Sequence, residues 1–208
     1  MYPTLINVIL DESGSMSPKR ADVIGGFNLF LKEQQEKPEA CRMILSKFNT
    51  LVTTVFQATP LADVKPLDEK SYTPGGNTAL FDAVANMVRL ADQAKQPDEK
   101  VVCLIITDGE ENSSRETTEP QIKEIIKARE AQGDWTFVYL GAEPSLWQGR
   151  GVAVGNVAAY NAAAPMQSFT QTSHSTTAYR LSAEKQSKDY WNPGNDPQGG
   201  GLAGQDSH

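Results

Sequence analysis

Two short apolar runs, each leading into an aspartate, constrain the fold of this chain more than any other feature. The first spans 5–10 (LINVIL) and is followed by Asp11, and the second spans 100–107 (KVVCLIIT) and is followed by Asp108. Near-continuous apolar runs of this length predict strands that are buried on both faces. Such strands occur in parallel sheets that helices cover on both sides.

Helical and strand patterns alternate along the rest of the chain. Apolar residues at helical spacing predict helices over 18–36, 79–94 and 165–183, and another that ends near Gly133. Shorter apolar runs predict strands over 43–48, 51–56, 135–140 and 152–160, the first two joined as a hairpin. The expected fold is therefore an α/β, doubly wound, mostly parallel central sheet with one antiparallel edge strand and helices on both faces.

The composition changes near the C-terminus. Residues 186–208 contain five glycines and two prolines and almost no aliphatic side chains. Such a segment buries too little apolar surface to be ordered by itself. We therefore expect one domain over 1–185 and a flexible Gly/Pro-rich tail over 186–208.

Charge and composition exclude several classes of function. The 19 basic and 26 acidic residues give a net charge of −7, and no basic stripe is present to neutralise nucleic-acid phosphates. No apolar run reaches the roughly 18 residues of a membrane helix, and the N-terminus has no basic leader. Two isolated cysteines predict free thiols in a reducing, cytoplasmic compartment. Two histidines are too few for a histidine-rich zinc site. The oligomeric state stays open.

Oxygen-bearing side chains follow both apolar strands. Asp11, Ser13 and Ser15 come after the first strand, Asp108 comes after the later one, and Thr78 follows two glycines at the start of a helix. The carboxyl ends of parallel strands share one sheet edge, so we expect these loops to meet. In one loop alone, turn and capping roles would explain such residues. Three converging loops instead predict an all-oxygen site for Mg²⁺, with Mn²⁺ or Ca²⁺ as alternatives.

At these residues the sequence resembles the von Willebrand factor type A domain family, which has an integrin I-domain-like fold. DESGS at 11–15 is similar to its DxSxS metal motif, Thr78 in TPGGNTALFDAV to its threonine ligand, and Asp108 in IITDGEEN to its later aspartate. The resemblance covers about 5–183 and is closest to small stand-alone bacterial or phage members. It implies a metal-ion-dependent adhesion site, usually with Mg²⁺. Ser13, Ser15 and, in an open state, Thr78 would bind the ion directly, and Asp11 and Asp108 largely through water.

The resemblance implies a non-catalytic protein-interaction domain in which a carboxylate of a partner protein completes the metal coordination. Four residues would surround that surface: Glu12, Asn77, Glu110 and Asn112. Many members have glycine where this chain has Glu12, which is expected to add negative charge beside the site.

Two other functions stay open. One is a Mg²⁺-dependent hydrolase or phosphohydrolase, which the absence of a GxxxxGK[ST] loop and of basic residues within the three metal loops disfavours. The other is a structural subunit whose metal only stabilises the fold.

Overall fold

A six-stranded sheet forms the centre of the computed structural model, which describes residues 1–161 and 163–193. The strands are β1 (Thr4–Asp11), β2 (Cys41–Phe48), β3 (Val52–Pro60), β4 (Lys100–Ile106), β5 (Trp135–Gly141) and β6 (Val157–Ala159). Their order is β3-β2-β1-β4-β5-β6, and every pair is parallel except β2 with β3. The predicted mostly parallel sheet with one antiparallel edge strand is confirmed.

Helices cover both faces of this sheet. They are α1 (Arg20–Gln35), α2 (Leu80–Ala94), α3 (Glu119–Glu130), α4 (Pro144–Gly149) and α5 (Pro165–Leu181). Helix α4 was not predicted, because six residues are too few to show a helical period. The helix predicted from residue 18 starts later, since Gly14–Lys19 forms a 3₁₀ helix that contains Pro18. Across the described ranges, none of the helices is both long and apolar enough to cross a membrane.

The two faces of β1 explain why its sequence is apolar without interruption. Ile6, Val8 and Leu10 face the core beneath α1 and α5, whereas Leu5 and Ile9 face the core beneath α2 and α3. All eight residues of the strand are buried. Because successive side chains of a strand point to opposite faces, a central strand between two helical layers needs apolar residues at nearly every position.

Helices α1 and α5 approach each other closely. The aromatic ring of Phe169 lies against Gly26, where a β-carbon would come within 2.3 Å of ring atom Cδ2. Further along the pair, the Gln34 side-chain amide donates hydrogen bonds to the carbonyl and hydroxyl oxygens of Ser173, both at 3.0 Å. The buried Arg180 guanidinium donates to the Gln34 carbonyl at 2.7 Å. These polar contacts explain how a Ser/Thr-rich helix can be buried.

The chain continues to pack against the domain beyond the boundary expected at residue 185. The buried Lys100 ammonium donates hydrogen bonds to three carbonyls of the α5 C-terminus and the segment after it: Tyr179, Ser182 and Glu184. Tyr190 is 1% exposed, and its backbone N–H donates to Asn156 Oδ1 at 2.9 Å. The described part of the expected tail, 186–193, therefore packs against the domain. The remainder of the expected tail, 194–208, lies outside the described residues.

Candidate metal centre

Three loops meet at the carboxyl edge of the sheet, as the sequence predicts. The parallel register pairs Leu10 with Ile106, which brings the residues that follow β1 and β4 side by side. The third loop is joined to the first by two backbone hydrogen bonds. The Gly14 N–H donates to the Gly76 carbonyl at 3.1 Å, and the Gly75 N–H donates to the Glu12 carbonyl at 2.9 Å. Backbone contacts therefore join the first loop to the third.

Asp11 forms the buried floor of this cluster. Its side chain is not exposed to solvent, and Oδ1 accepts the Ser13 N–H at 2.7 Å while Oδ2 accepts the Thr107 hydroxyl. Burial raises the pKa of the Asp11 carboxyl, because desolvation disfavours its charged form, and the hydrogen bonds from Ser13 and Thr107 act in the opposite direction. A nearby cation would stabilise the charged form.

The two serine hydroxyls connect the first loop to Asp108. Ser13 Oγ and Ser15 Oγ are 3.1 Å apart, and Ser15 Oγ donates to Asp108 Oδ1 at 2.6 Å. The second carboxylate oxygen of Asp108, Oδ2, forms an ion pair with the Lys19 ammonium. Asp11 accepts no ammonium group within the described ranges, so the two aspartates have different surroundings.

Thr78 completes the oxygen cluster from the start of α2. The residue is buried, and its N–H donates to Asn112 Oδ1 at 2.9 Å, while the Asn112 N–H donates to the Thr78 carbonyl at 3.0 Å. A β-carbon on Gly109 would lie 3.2 Å from Thr78 Oγ1 and 3.6 Å from Asp11 Oδ2. Thr78 Oγ1 and Asp11 Oδ2 thus lie close to the same backbone position, and a side chain on Gly109 would crowd both.

The four residues expected to surround the site have different positions. Asn77, Glu110 and Asn112 are exposed beside it. Glu12 is buried instead, with Oε1 accepting the Lys47 ammonium at 2.7 Å and the Thr73 N–H. Its carboxylate is therefore inside the loop cluster, and Lys47 balances the negative charge that the sequence was expected to add.

Two acidic residues hold the loop after β4 in place. These structural roles were not predicted from the sequence. Glu111 Oε2 accepts the Phe81 N–H at 2.9 Å, in the first turn of α2. Asp82, in the same turn, accepts the N–H groups of Arg115 and Thr117, both at 2.8 Å. Asp82 lies in the first turn of a predicted helix, where acidic residues are a recognisable signal, whereas Glu111 lies in a loop and its contact with α2 follows only from the fold.

The residues present fit a hard divalent cation. Their donors are two carboxylates and three hydroxyls, without nitrogen or sulfur, and oxygen donors of this kind suit Mg²⁺ that retains some of its water. Across 1–161 and 163–193, no three or more His, Cys, Asp or Glu side chains form a metal-binding group, so the hydroxyls are essential to such a site. The Tyr160 hydroxyl is buried without a hydrogen-bond partner in the described part of the chain, and burial raises its pKa, with smaller contributions from the charges of Asp108, Asp22 and Asp11.

Comparison with solved structures shows the same fold in proteins of distant sequence. The von Willebrand factor type A protein from Catenulispora acidiphila has a TM-score of 0.59 at 16% identity, covering 85% of this chain and 43% of that one. Mussel byssus proximal thread matrix protein 1, with a zinc-occupied MIDAS motif, has a TM-score of 0.57 at 17% identity, covering 82% and 46%. Manganese-loaded TRAP protein from Plasmodium vivax has a TM-score of 0.57 at 14% identity, covering 80% and 71%. The chain thus spans less than half of the first two proteins.

Sequence comparison identifies the family. No curated protein matches this chain. The family model described as von Willebrand factor type A domain matches residues 6–189, which include all three loops and helices α1 to α5. The chain therefore belongs to the von Willebrand factor type A domain family.

Proposed function

We propose that this chain is a metal-dependent protein-interaction domain that binds Mg²⁺ and uses it to coordinate an acidic residue of a partner protein. The observation that carries the proposal is the convergence of Asp11, Ser13, Ser15, Thr78 and Asp108 at one sheet edge. The family generally mediates metal-dependent protein interactions, and two similar folds were solved with zinc or manganese. We assign Ser13, Ser15 and Thr78 as direct ligands and the two aspartates as ligands largely through water.

The surroundings of the site support a binding role. Asn77, Glu110 and Asn112 are exposed beside the oxygen cluster and can contact a partner. A bound divalent ion attracts a carboxylate strongly and at a defined position. Phosphoryl transfer would need cationic groups aimed at the transferred phosphate, whereas Lys19 and Lys47 are paired with carboxylates of this chain. We therefore propose a non-catalytic role.

Cellular location is part of the same proposal. Cys41 and Cys103 are both free thiols, which are typical of a reducing compartment. This supports a cytoplasmic location, and the bacterial or phage type is proposed from the resemblance of the sequence alone.

Thermal unfolding of chelator-treated protein against Mg²⁺ and Mn²⁺ concentration tests the metal site. A ligand at 100 times its Kd adds about 2.7 kcal/mol to the free energy of unfolding. We expect a saturable rise in Tm for wild type, and a much smaller rise for Asp11→Asn and for Ser15→Ala, whose serine is exposed. Asp22→Asn removes the same charge from an exposed position of α1 and should respond like wild type. A wild-type Tm that does not change with either ion would contradict the proposal.

Partner capture separates an interaction site from a metal that only stabilises the fold. Proteins retained by the immobilised domain in Mg²⁺ should be released by chelator and should not bind Ser15→Ala. Free acetate or a glutamate-containing peptide should compete with them, because the ion would coordinate a carboxylate. Partners retained equally with Mg²⁺ and chelator would favour the structural role.

A further inference from the structure

Lys19 occupies one side of the candidate metal centre. It is the last residue of the 3₁₀ helix Gly14–Lys19, which contains Ser15 and directly follows Ser13. Its ammonium pairs with Asp108 Oδ2, while Ser15 donates to Oδ1 of the same carboxylate. The Asp108 side chain is only 5% exposed and that of Lys19 is 20% exposed, so solvent screens the pair less than it would a surface pair. Both carboxylate oxygens of Asp108 therefore accept hydrogen bonds from side chains of the segment Gly14–Lys19.

The side chains of the metal centre carry a small net negative charge. Asp11 and Asp108 contribute two negative charges, and Lys19 contributes one positive charge. Glu12 lies nearby but is paired with Lys47. A divalent ion entering a site with a net charge of −1 would leave it at +1, with the Lys19 ammonium close to the ion. A carboxylate from outside the chain would return the site to neutrality.

We propose that Lys19 is a tethered cation that competes with the divalent ion for Asp108 and thereby makes binding of the ion depend on an acidic partner. This inference rests on the proposed function and adds a regulatory element to the same site. Lys19 weakens binding of the ion alone through repulsion and through its hold on Asp108. The partner carboxylate offsets that repulsion, so ion and partner bind with positive coupling, which is reciprocal by thermodynamic necessity.

A purely structural role for Lys19 makes a different prediction. If the ion pair only anchors the 3₁₀ helix to the loop after β4, its loss would lower the stability of the metal-free protein and leave or weaken the affinity for the ion. A competing cation predicts tighter binding of the ion when the charge is removed. The two roles therefore predict opposite changes in affinity.

The test is the affinity for Mn²⁺, measured by calorimetric titration and by the magnetic resonance signal of free Mn²⁺. A +2 and a +1 charge about 6 Å apart in water repel strongly enough to change an affinity about tenfold. We expect Lys19→Gln to bind Mn²⁺ about tenfold more tightly than wild type, and Lys19→Arg to resemble wild type. Lys32→Gln removes one positive charge from an exposed position of α1 and should leave the affinity unchanged.

The coupling to an acidic ligand is measured in the same titrations. A glutamate-containing peptide should increase Mn²⁺ affinity more in wild type than in Lys19→Gln. If wild type binds Mn²⁺ and Lys19→Gln binds it with equal or lower affinity, the role proposed for Lys19 is wrong. That result would not contradict the proposed metal site. Failure of both proteins to bind Mn²⁺ would overturn the proposed metal site and this inference with it.

Discussion

The contact between Gly26 of α1 and Phe169 of α5 gives a quantitative test of how the two helices pack. A β-carbon at Gly26 would lie 2.3 Å from Cδ2, 2.8 Å from Cγ and 3.1 Å from Cβ of Phe169. Rotation of the ring cannot relieve all three contacts, because Cβ is attached to the backbone of α5. Gly26→Ala must therefore move the helices apart or force Phe169 out of its packed position.

Two opposing effects set the magnitude. Replacing glycine by alanine inside a helix contributes about 1 kcal/mol of stability through helix propensity. Overpacking in a buried contact costs about 1–3 kcal/mol, and more where backbone has to move. Since the contacts are this short and Phe169 is buried, we expect the clash to dominate. After the helix-propensity gain is subtracted, Gly26→Ala should lower the free energy of unfolding by up to about 2 kcal/mol, and by more if the backbone moves.

The neighbouring Gly25 provides a matched control. A β-carbon there would meet only the Met166 sulfur, at 3.6 Å, which is an ordinary contact. Gly25→Ala should therefore stabilise the protein by about 0.5–1 kcal/mol. Urea unfolding of the two variants measures the difference. In a Phe169→Ala background, Gly26→Ala should destabilise the protein far less, because only the 3.1 Å contact with Cβ remains, and a double-mutant cycle detects the difference. Equal stabilisation by both glycine substitutions would refute the proposed packing.

Three further predictions concern contacts outside the metal centre. Burial lowers the pKa of Lys100 to about 8, so the folded state releases a proton before the unfolded state, whose pKa is near 10.4. The free energy of unfolding should therefore rise between pH 8 and 10 in wild type relative to Lys100→Met, and parallel pH profiles in urea would contradict this. Asp82→Ala removes the acceptor for three loop N–H groups and should cost about 1–2 kcal/mol in urea unfolding, whereas a loss within error would show that the loop does not depend on it. Tyr190→Ala should cost about 3 kcal/mol or more if 186–193 is part of the domain, and a cost near zero in thermal unfolding would restore the boundary at 185.

Patterns along the chain were sufficient to predict the sheet and the meeting of the five oxygen-bearing residues at its edge. The apolar runs that form β1 and β4 have no polar face, and only a strand between two helical layers satisfies such a run. The aspartates that follow them share a sheet edge in every parallel arrangement of these strands. Helix α4 and the 3₁₀ helix at 14–19 were missed because short helices leave no periodic signal.

The C-terminal boundary shows where composition misleads. The segment after residue 185 is poor in aliphatic side chains, but Tyr190 and Trp191 are buried and the backbone is hydrogen-bonded to Gly155 and Asn156. Two aromatic side chains bury a large area without changing the average composition. Whether such side chains are buried depends on the helices and strands that pack around them.

The sequence by itself determined the layered α/β architecture and the meeting of the oxygen-bearing loops at one sheet edge, because both follow from local periodicity and from the common edge of parallel strands. Only the tertiary structure decided how the charges around that centre are paired. Glu12 bonds to Lys47 and Asp108 bonds to Lys19, across 35 and 89 residues of chain. Such pairs depend on which side chains strand order and loop conformation bring within reach, and electrostatic attraction at a few ångströms leaves no pattern in the order of residues.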